Sequence, residues 1–128
     1  MKDLIEDFLK QKRFAIVGSF RNETKYAYQI FRTLKEKGYD VIPVNPKLKE
    51  VDGIACYPAI SKIPHKIDVV DIVTPPAVTE KMVYECKKKE VQRIWMQPGA
   101  ESEAAIKFCQ ENKINVIYNF CLMAELNG

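Results

Sequence analysis

Short apolar runs alternate with longer amphipathic segments along most of the chain. In the longer segments apolar residues recur every three or four positions, which predicts helices, whereas the short runs stop close to Gly, Pro or Asn and are typical of buried strands. The predicted strands cover residues 14–17, 40–44, 69–73, 93–96 and 116–118. The predicted helices cover residues 3–10, 24–37, about 78–88 and about 102–112, and a helical turn is expected over 122–126.

This order of elements predicts an α/β fold, because strands separated by helices form a parallel sheet with helices on both faces. We expect a Rossmann-like, doubly wound sheet of about five parallel strands in a three-layer αβα arrangement. The length of 128 residues fits a single domain over residues 1–128, and no linker divides the chain.

Three local features carry expectations of their own. Asp3 is placed to cap the first helix. Pro43 lies inside the second strand and cannot donate a ladder hydrogen bond, so we expect that strand to lie at an edge or to end early. Residues 47–66 are polar and interrupted by Gly and Pro, which predicts connections with one turn of helix.

Composition excludes several classes of protein. The chain has 20 Lys and Arg against 17 Asp and Glu, a net charge of +3, which is too small for a sequence-independent grip on nucleic acid. No apolar run approaches the roughly 20 residues that a membrane span needs, and the acidic, amphipathic N-terminus is unlike a secretory signal. We therefore expect a cytoplasmic protein that binds neither nucleic acid nor a membrane.

The cysteines and the single histidine provide few candidates for catalysis or metal binding. Cys56, Cys86, Cys109 and Cys121 are widely spaced and His65 is the only histidine, which favours neither a metal site nor a disulfide scaffold. Cys86 and Cys109 occupy apolar helix positions and are predicted core residues. His65 lies in a predicted loop and is expected to be solvated. Cys121, at a strand end, is the one candidate nucleophile, and no catalytic residue is assigned.

A ligand site is expected at one edge of the sheet. Open parallel sheets bind ligands beyond the carboxyl ends of the strands, where the strand order reverses. In this chain the segments after the strands are small, polar or stiffened by proline. They are Gly18-Ser19-Phe20-Arg21-Asn22, Asn45-Pro46-Lys47, Thr74-Pro75-Pro76, Gln97-Pro98-Gly99 and Asn119-Phe120-Cys121.

The loop after the first strand has features of a phosphate site. Backbone N–H groups at a helix start near Thr24 attract anions, and Arg21 and Lys25 add positive charge near the hydroxyl of Ser19. The glycine-rich dinucleotide pattern and the P-loop pattern are both absent, since Gly18 is the one glycine of this loop. The positive charges and the helix start favour binding of a phosphate, whereas the sequence motif by itself is weak evidence for it.

The end of the second strand narrows the class of nucleotide. NAD-binding folds place Asp or Glu here, where it accepts hydrogen bonds from the ribose hydroxyls. This chain has Asn45-Pro46-Lys47 instead. A cation in place of a carboxylate favours a ribose that carries a phosphate, as in NADP or coenzyme A (CoA).

Taken together, these motifs resemble the small stand-alone CoA-binding domain proteins of bacteria and archaea. The resemblance covers roughly residues 12–126. It rests on Ile16-Val17-Gly18-Ser19, Arg21-Asn22, Lys25-Tyr26, Gly38-Tyr39, Val44-Asn45-Pro46, Cys56-Tyr57-Pro58, Ile63-Pro64, Asp68-Val69-Val70, Pro75-Pro76, Trp95-Met96-Gln97-Pro98-Gly99-Ala100 and Cys121-Leu122-Met123. The family is itself similar to the nucleotide-binding domain of the succinyl-CoA ligase alpha subunit.

The resemblance implies a protein that binds CoA or an acyl-CoA at the carboxyl edge of the sheet. It implies no ligase chemistry, because the phosphorylated histidine of that ligase lies in a later domain with no counterpart in this sequence. Gly18, Ser19 and Arg21 would meet the phosphates, with Lys25 nearby. The other expected cofactor-binding residues are Phe20, Asn45, Pro46, Lys47, Thr74, Pro75, Pro76, Gln97, Pro98 and Gly99.

One departure from the family pattern concerns the first loop. The family reads Gly-Ala-Ser where this chain has Gly18-Ser19-Phe20, and we expect the Phe20 ring either to narrow the phosphate approach or to stack on the ligand. Two alternatives therefore stay open. One is an enzyme or redox protein that uses an NADP-type nucleotide and Cys121, and the other is a regulatory subunit with a vestigial pocket. A protein partner is not predicted.

Overall fold

The computed structural model describes residues 1–22 and 24–127. Within this part of the chain the strands are β1 (Arg13–Val17), β2 (Asp40–Val44), β3 (Glu50–Val51), β4 (Ile54–Ala55), β5 (Val69–Ile72), β6 (Arg93–Met96) and β7 (Asn115–Ile117). The helices are α1 (Lys2–Leu9), α2 (Tyr26–Glu36), α3 (Pro76–Lys88), α4 (Glu103–Glu111) and α5 (Leu122–Asn127), with a 3-10 turn at Ile60–Lys62.

A five-stranded parallel sheet in the order β2-β1-β5-β6-β7 forms the centre of the molecule. Phe14 of β1 pairs with Val41 of β2 on one side and with Val69 of β5 on the other. The chain therefore crosses from β2 over β1 to reach β5, and the strand order reverses between β1 and β5. The predicted Rossmann-like sheet of five parallel strands is confirmed.

Helices pack on both faces of this sheet. Because strand side chains alternate between faces, Ile94 and Met96 of β6 join a core cluster with α3 and α4, whereas Trp95 joins a second cluster with α1, α2 and α5. Phe31 of α2 and Cys109 of α4 are fully buried in these two clusters. The three-layer arrangement is confirmed, and the apolar runs of the sequence are strands buried on both sides.

Pro43 lies in an edge strand, as its missing N–H requires. Asp40 donates its backbone N–H to Lys12 next to β1, so by strand alternation the nitrogen and carbonyl of Pro43 face away from β1. That outward carbonyl accepts the backbone N–H of Tyr57 at 3.1 Å, and Asn45 donates to the carbonyl of Tyr57 at 2.9 Å. The segment around Tyr57 therefore covers the outer side of β2 at its carboxyl end.

For residues 47–66 the predicted helical turn is confirmed, but the prediction of connections without strands is wrong. The turn is present at Ile60–Lys62, but β3 and β4 form an antiparallel hairpin in which Glu50 pairs with Ala55. Its two-residue loop, Asp52-Gly53, has φ of 48° and 81°, which is the backbone that a tight hairpin of this kind requires. The Asp-Gly pair was the sequence signal for this hairpin.

Two helix starts differ from those predicted. α1 begins at Lys2 with Met1 as its N-cap, so Asp3 lies in the first turn and does not cap the helix. α2 begins at Tyr26 instead of Thr24, because the side-chain oxygen of Asn22 accepts both the backbone N–H and the hydroxyl of Thr24 and holds them in a turn. In the described part of the chain, no helix combines the length and the apolar character needed to cross a bilayer.

Candidate functional site

Two adjoining cavities open at the carboxyl edge of the sheet. A polar groove of about 600 Å³ extends from Ser19-Phe20-Arg21 to the segment Asn45–Asp52. An apolar cavity of about 350 Å³ lies between the ends of β1, β2 and β5 and the first turns of α3. Ser19, Asn45 and Pro46 line both cavities, so the two form one continuous depression next to the point where the strand order reverses.

Gly18 brings the first loop into close contact with its surroundings. A Cβ atom at this position would lie 2.7 Å from the Cβ of Ala27 and 3.0 Å from the carbonyl oxygen of Val73. Real Cβ atoms do not approach other atoms so closely, so only glycine lets the loop pass between α2 and the end of β5. The start of α2 consequently lies directly beside the loop.

Phe20 lines the polar groove but is almost entirely buried. Its side chain is buried in the core beneath α2, where its ring packs edge-on against Phe31 with 5.8 Å between ring centroids. The contact with Phe31 therefore anchors the loop after β1 to the core. The core accommodates the Phe20 ring because Phe31 of α2 provides an aromatic surface for it.

The surroundings of the first loop favour an anion. Arg21 and Lys47 are exposed on the polar groove, and Lys25 is the half-buried N-cap of α2. No ion pair formed within residues 1–22 and 24–127 engages any of these three cations. The first turn of α2 contains no acidic residue, so the positive end of its dipole adds to the same field.

Carboxylates border the other side of the polar groove. Glu50 and Asp52 belong to the β3–β4 hairpin, and Asp52 accepts a hydrogen bond from the hydroxyl of Tyr28 at 2.8 Å. This contact joins the hairpin to α2 across the groove. The groove therefore has cations from the first loop and from Lys47 after β2, and carboxylates from the hairpin.

Asn45 connects the ends of β1 and β2. Its Nδ2 donates to the carbonyl of Gly18 at 2.8 Å, and its Oδ1 accepts the backbone N–H of Lys47 at 2.8 Å. Both ends of the amide are thus engaged by the protein itself. Asn45 stands where NAD-binding folds have a ribose-binding carboxylate, and it holds the loops after β1 and β2 together.

The loop after β5 is held by hydroxyl groups. Thr74 Oγ1 lies 2.8 Å from Thr79 Oγ1, and Thr79 is fully buried and also donates to the carbonyl of Pro75. Pro75 is the N-cap of α3 and Pro76 its first residue, a position where the missing N–H of proline costs nothing. Sequence analysis missed Thr79, whose role follows from its position one turn beyond Pro75.

The loop after β6 sends its polar side chain inward. Gln97 is buried, its Nε2 donates to Asp71 Oδ1 at 2.6 Å, and its Oε1 accepts the backbone N–H of Leu122 at 3.0 Å. The hydroxyl of Tyr26 approaches the same oxygen at 3.5 Å and also contacts Cys121 Sγ. Burial and this thiol contact raise the pKa of Tyr26. Gln97 therefore joins the loop to α2 and α5.

Two further residues complete that loop. Pro98 and Gly99 are exposed, and both carboxylate oxygens of Glu101 accept the backbone N–H of Gly99 at 3.1 Å. Gly99 has φ of 95°, a conformation in which a side chain would be strained. The Glu101 carboxylate therefore caps this turn, but neither Pro98 nor Gly99 lines the two cavities.

The structure thus brings together most of the expected site residues and leaves others outside the cavities. Those that line the cavities are Gly18, Ser19, Phe20, Arg21, Asn45, Pro46, Lys47, Thr74 and Pro75. Those that do not are Lys25, Pro76, Gln97, Pro98 and Gly99. The cavity residues that sequence analysis missed include Tyr28, Leu48, Pro58, Ala59, Met82 and Glu85.

The thiols fall into two groups. Cys86 and Cys109 are fully buried, which confirms them as core residues, and burial raises the pKa of Cys109 to about 12. Cys56 is also buried, with its pKa raised for the same reason. Cys121 is only half-buried. His65 is exposed, as predicted.

A parallel sheet in this order, with a ligand-sized depression at its carboxyl edge, defines a Rossmann-like domain. Residues 12–127 match the family model described as "CoA binding domain", and the chain belongs to that family. The family predicted from the sequence motifs is therefore confirmed.

The relatives of this chain include large ligases and small proteins. An ADP-forming acetate–CoA ligase of Methanocaldococcus jannaschii is 36% identical over 106 residues, which cover 83% of this chain and 15% of the ligase. The chain thus spans only a small part of that relative. A hypothetical protein from Pyrococcus horikoshii is 36% identical with a TM-score of 0.93, covering 98% of this chain and 89% of that one. A conserved hypothetical protein from Pyrococcus furiosus is 34% identical with a TM-score of 0.86, covering 90% and 99%.

Proposed function

We propose that this protein binds CoA, or an acyl-CoA, at the carboxyl edge of its parallel sheet and performs no catalytic step of its own. One observation carries the proposal. In a member of the CoA-binding domain family, a cationic loop at a helix start opens onto two adjoining cavities at the point where the strand order reverses.

The phosphates of CoA would bind around the first loop. Ser19 offers a hydroxyl, and Arg21, Lys25 and Lys47 offer charges that no carboxylate of the described residues neutralises. A polyanionic ligand gains most from such unengaged cations, because hydrogen bonds between charged groups are stronger than those between neutral groups. The closeness that Gly18 allows would bring the ligand onto the start of α2.

The remaining walls would accept the rest of the cofactor. Asn45 and Pro46 would border the nucleotide, and Thr74 and Pro75 would form the opposite wall, with Pro76 behind them as the first residue of α3. The loop Gln97-Pro98-Gly99 lines neither cavity, and its Gln97 side chain is directed inward, so we assign this loop no contact with the ligand.

Binding alone is the function that these residues support. Cys121, the one candidate nucleophile, contacts Tyr26 and lies outside both cavities. The activity of the acetate–CoA ligase relative belongs to a protein of which this chain matches 15%. Neither the site nor the relatives favour an NADP-dependent enzyme, a redox protein acting through Cys121, or a vestigial regulatory pocket.

Calorimetric titration of the purified protein with CoA, NADP⁺ and NAD⁺ tests the proposal. We expect CoA to bind and the Arg21→Ala variant to bind it about 10- to 100-fold more weakly, the scale of a hydrogen bond between charged groups. Arg32→Ala, on the exposed side of α2 and outside both cavities, is the matched control and should bind like the native protein. Absence of CoA binding alongside clear binding of NADP⁺ would overturn the proposal.

A further inference from the structure

The apolar cavity has the size and lining of a pocket for a flat ring. Its volume is about 350 Å³, and much of its wall comes from apolar groups of Pro58, Ala59, Val78 and Met82, together with Pro75. Such walls gain from burying a planar, weakly polar group and gain nothing from a phosphate. The phosphate-binding features lie on the adjoining polar groove, so the two halves of the depression suit different parts of one ligand.

One polar side chain that lines this cavity has an oxygen atom without a hydrogen-bond partner. Glu85, on the third turn of α3, is half-buried and lines the cavity, while its Oε1 is inaccessible to solvent and has no hydrogen-bond partner within residues 1–22 and 24–127. Lys81 and Lys89 stand one helical turn to either side, but neither forms an ion pair with Glu85, and the Lys89 ammonium donates to the carbonyl of Ile63. A buried carboxylate oxygen without a donor is costly, so it marks a position where a donor belongs.

We propose that Glu85 is the specificity-determining residue for the base of the bound cofactor, and that its carboxylate accepts a hydrogen bond from the exocyclic amine of adenine. The inference rests on the proposed function, because it takes CoA as the ligand. The N-substituted adenine of CoA has no N–H donor besides its 6-amino group. If the phosphates bind at the first loop, the adenine ring reaches the apolar cavity by passing Asn45 and Pro46, which line both cavities.

The hydrogen-bonding chemistry of the Glu85 carboxylate determines which base is preferred. A carboxylate only accepts hydrogen bonds, so it favours the amine of adenine and repels the carbonyl oxygen that replaces that amine in hypoxanthine. Two oxygens that face each other without a hydrogen between them are unfavourable in a mostly apolar cavity, and discrimination between the two bases follows. The pantetheine amides of CoA are the other N–H donors that could reach Glu85, and they are identical in CoA and deamino-CoA.

Calorimetry with CoA and with deamino-CoA, whose base is hypoxanthine, separates these cases. We expect the native protein to bind CoA about 10- to 100-fold more tightly than deamino-CoA. In Glu85→Gln the two ligands should bind within about threefold of each other, because the amide can accept from an amine or donate to a carbonyl. The exposed Glu111→Gln of α4, outside both cavities, should keep the native preference.

Each other result overturns the inference in a recognisable way. Equal binding of both ligands by the native protein would refute it while leaving the proposed function intact, and this comparison needs no variant to fold. A preference that persists in Glu85→Gln would assign base recognition to another group. If Glu85→Gln weakened both ligands equally without a native preference, the donor would be a pantetheine amide. Failure of both ligands to bind would instead refute the proposed function.

Discussion

Asp71 is a carboxyl group buried at the centre of the sheet, and its environment predicts how stability depends on pH. It lies on β5 between β1 and β6 and is completely inaccessible to solvent. Gln97 Nε2 donates to Oδ1, whereas Oδ2 has no hydrogen-bond partner in the described part of the chain. Burial raises the pKa of Asp71 from 3.8 to about 7, and the Gln97 hydrogen bond opposes that rise only in part.

The sign of the effect follows from proton binding. Between pH 4 and pH 7, roughly, the folded protein holds a proton on Asp71 that the unfolded chain has already released. The contribution of Asp71 to stability therefore falls as pH rises through this range, and it is fully lost above the folded-state pKa. A rise from 3.8 to about 7 is roughly three units at about 1.4 kcal/mol each, or about 4 kcal/mol in total.

The Asp71→Asn variant tests this reasoning. The amide has the shape of the protonated acid and still offers an oxygen to Gln97, but it cannot ionise. Urea denaturation at pH 4, 6 and 8 should show the variant close to the native protein at low pH and more stable by up to about 4 kcal/mol at high pH. Asp3→Asn, at an exposed position of α1, is the control. Parallel stability curves for the native protein and Asp71→Asn would refute the argument.

Three further measurements follow from the same contacts. Gly18→Ala should lose about 1–3 kcal/mol of unfolding free energy in urea, because its Cβ would collide with that of Ala27, and a loss below about 0.5 kcal/mol would contradict the close approach. Asn45→Ala removes hydrogen bonds to Gly18 and Lys47, so it should lose about 1–3 kcal/mol and weaken CoA binding, and native stability would exclude the connecting role. Ellman's reagent should react rapidly with one thiol of the folded protein, and Cys121→Ser should abolish that reaction. Rapid loss of two or more thiols would contradict the burial of the other cysteines.

The fold was predictable because its signals are local. The core strands are apolar without alternation, as Ile94-Trp95-Met96 illustrates, and helical spacing separates them. The β3–β4 hairpin was missed since strands of two residues are too short for any periodicity to register, although Asp52-Gly53 marked their turn. Helix starts moved by a residue or two where a side chain such as Asn22 bound the backbone first.

The candidate site was only partly predictable, because side-chain direction depends on tertiary packing. The strand ends identified the edge at which the two cavities open. Gln97 also follows a strand, yet its side chain turns inward because Asp71 and the Leu122 N–H provide its partners there. Phe20 likewise points to Phe31, which lies eleven positions later. Glu85 lies on an amphipathic helix among lysines, where nothing in the sequence distinguishes it from a solvated residue.

The covered outer side of β2 has a consequence for how copies of this protein behave at high concentration. A sheet with exposed strand edges can continue into a second molecule and grow into fibrous aggregates. Here the outer strand β2 lacks a donor at Pro43 and is covered by the backbone of Tyr57 at its carboxyl end, and the other outer strand, β7, is only three residues long. Both ends of the sheet thereby resist intermolecular strand addition.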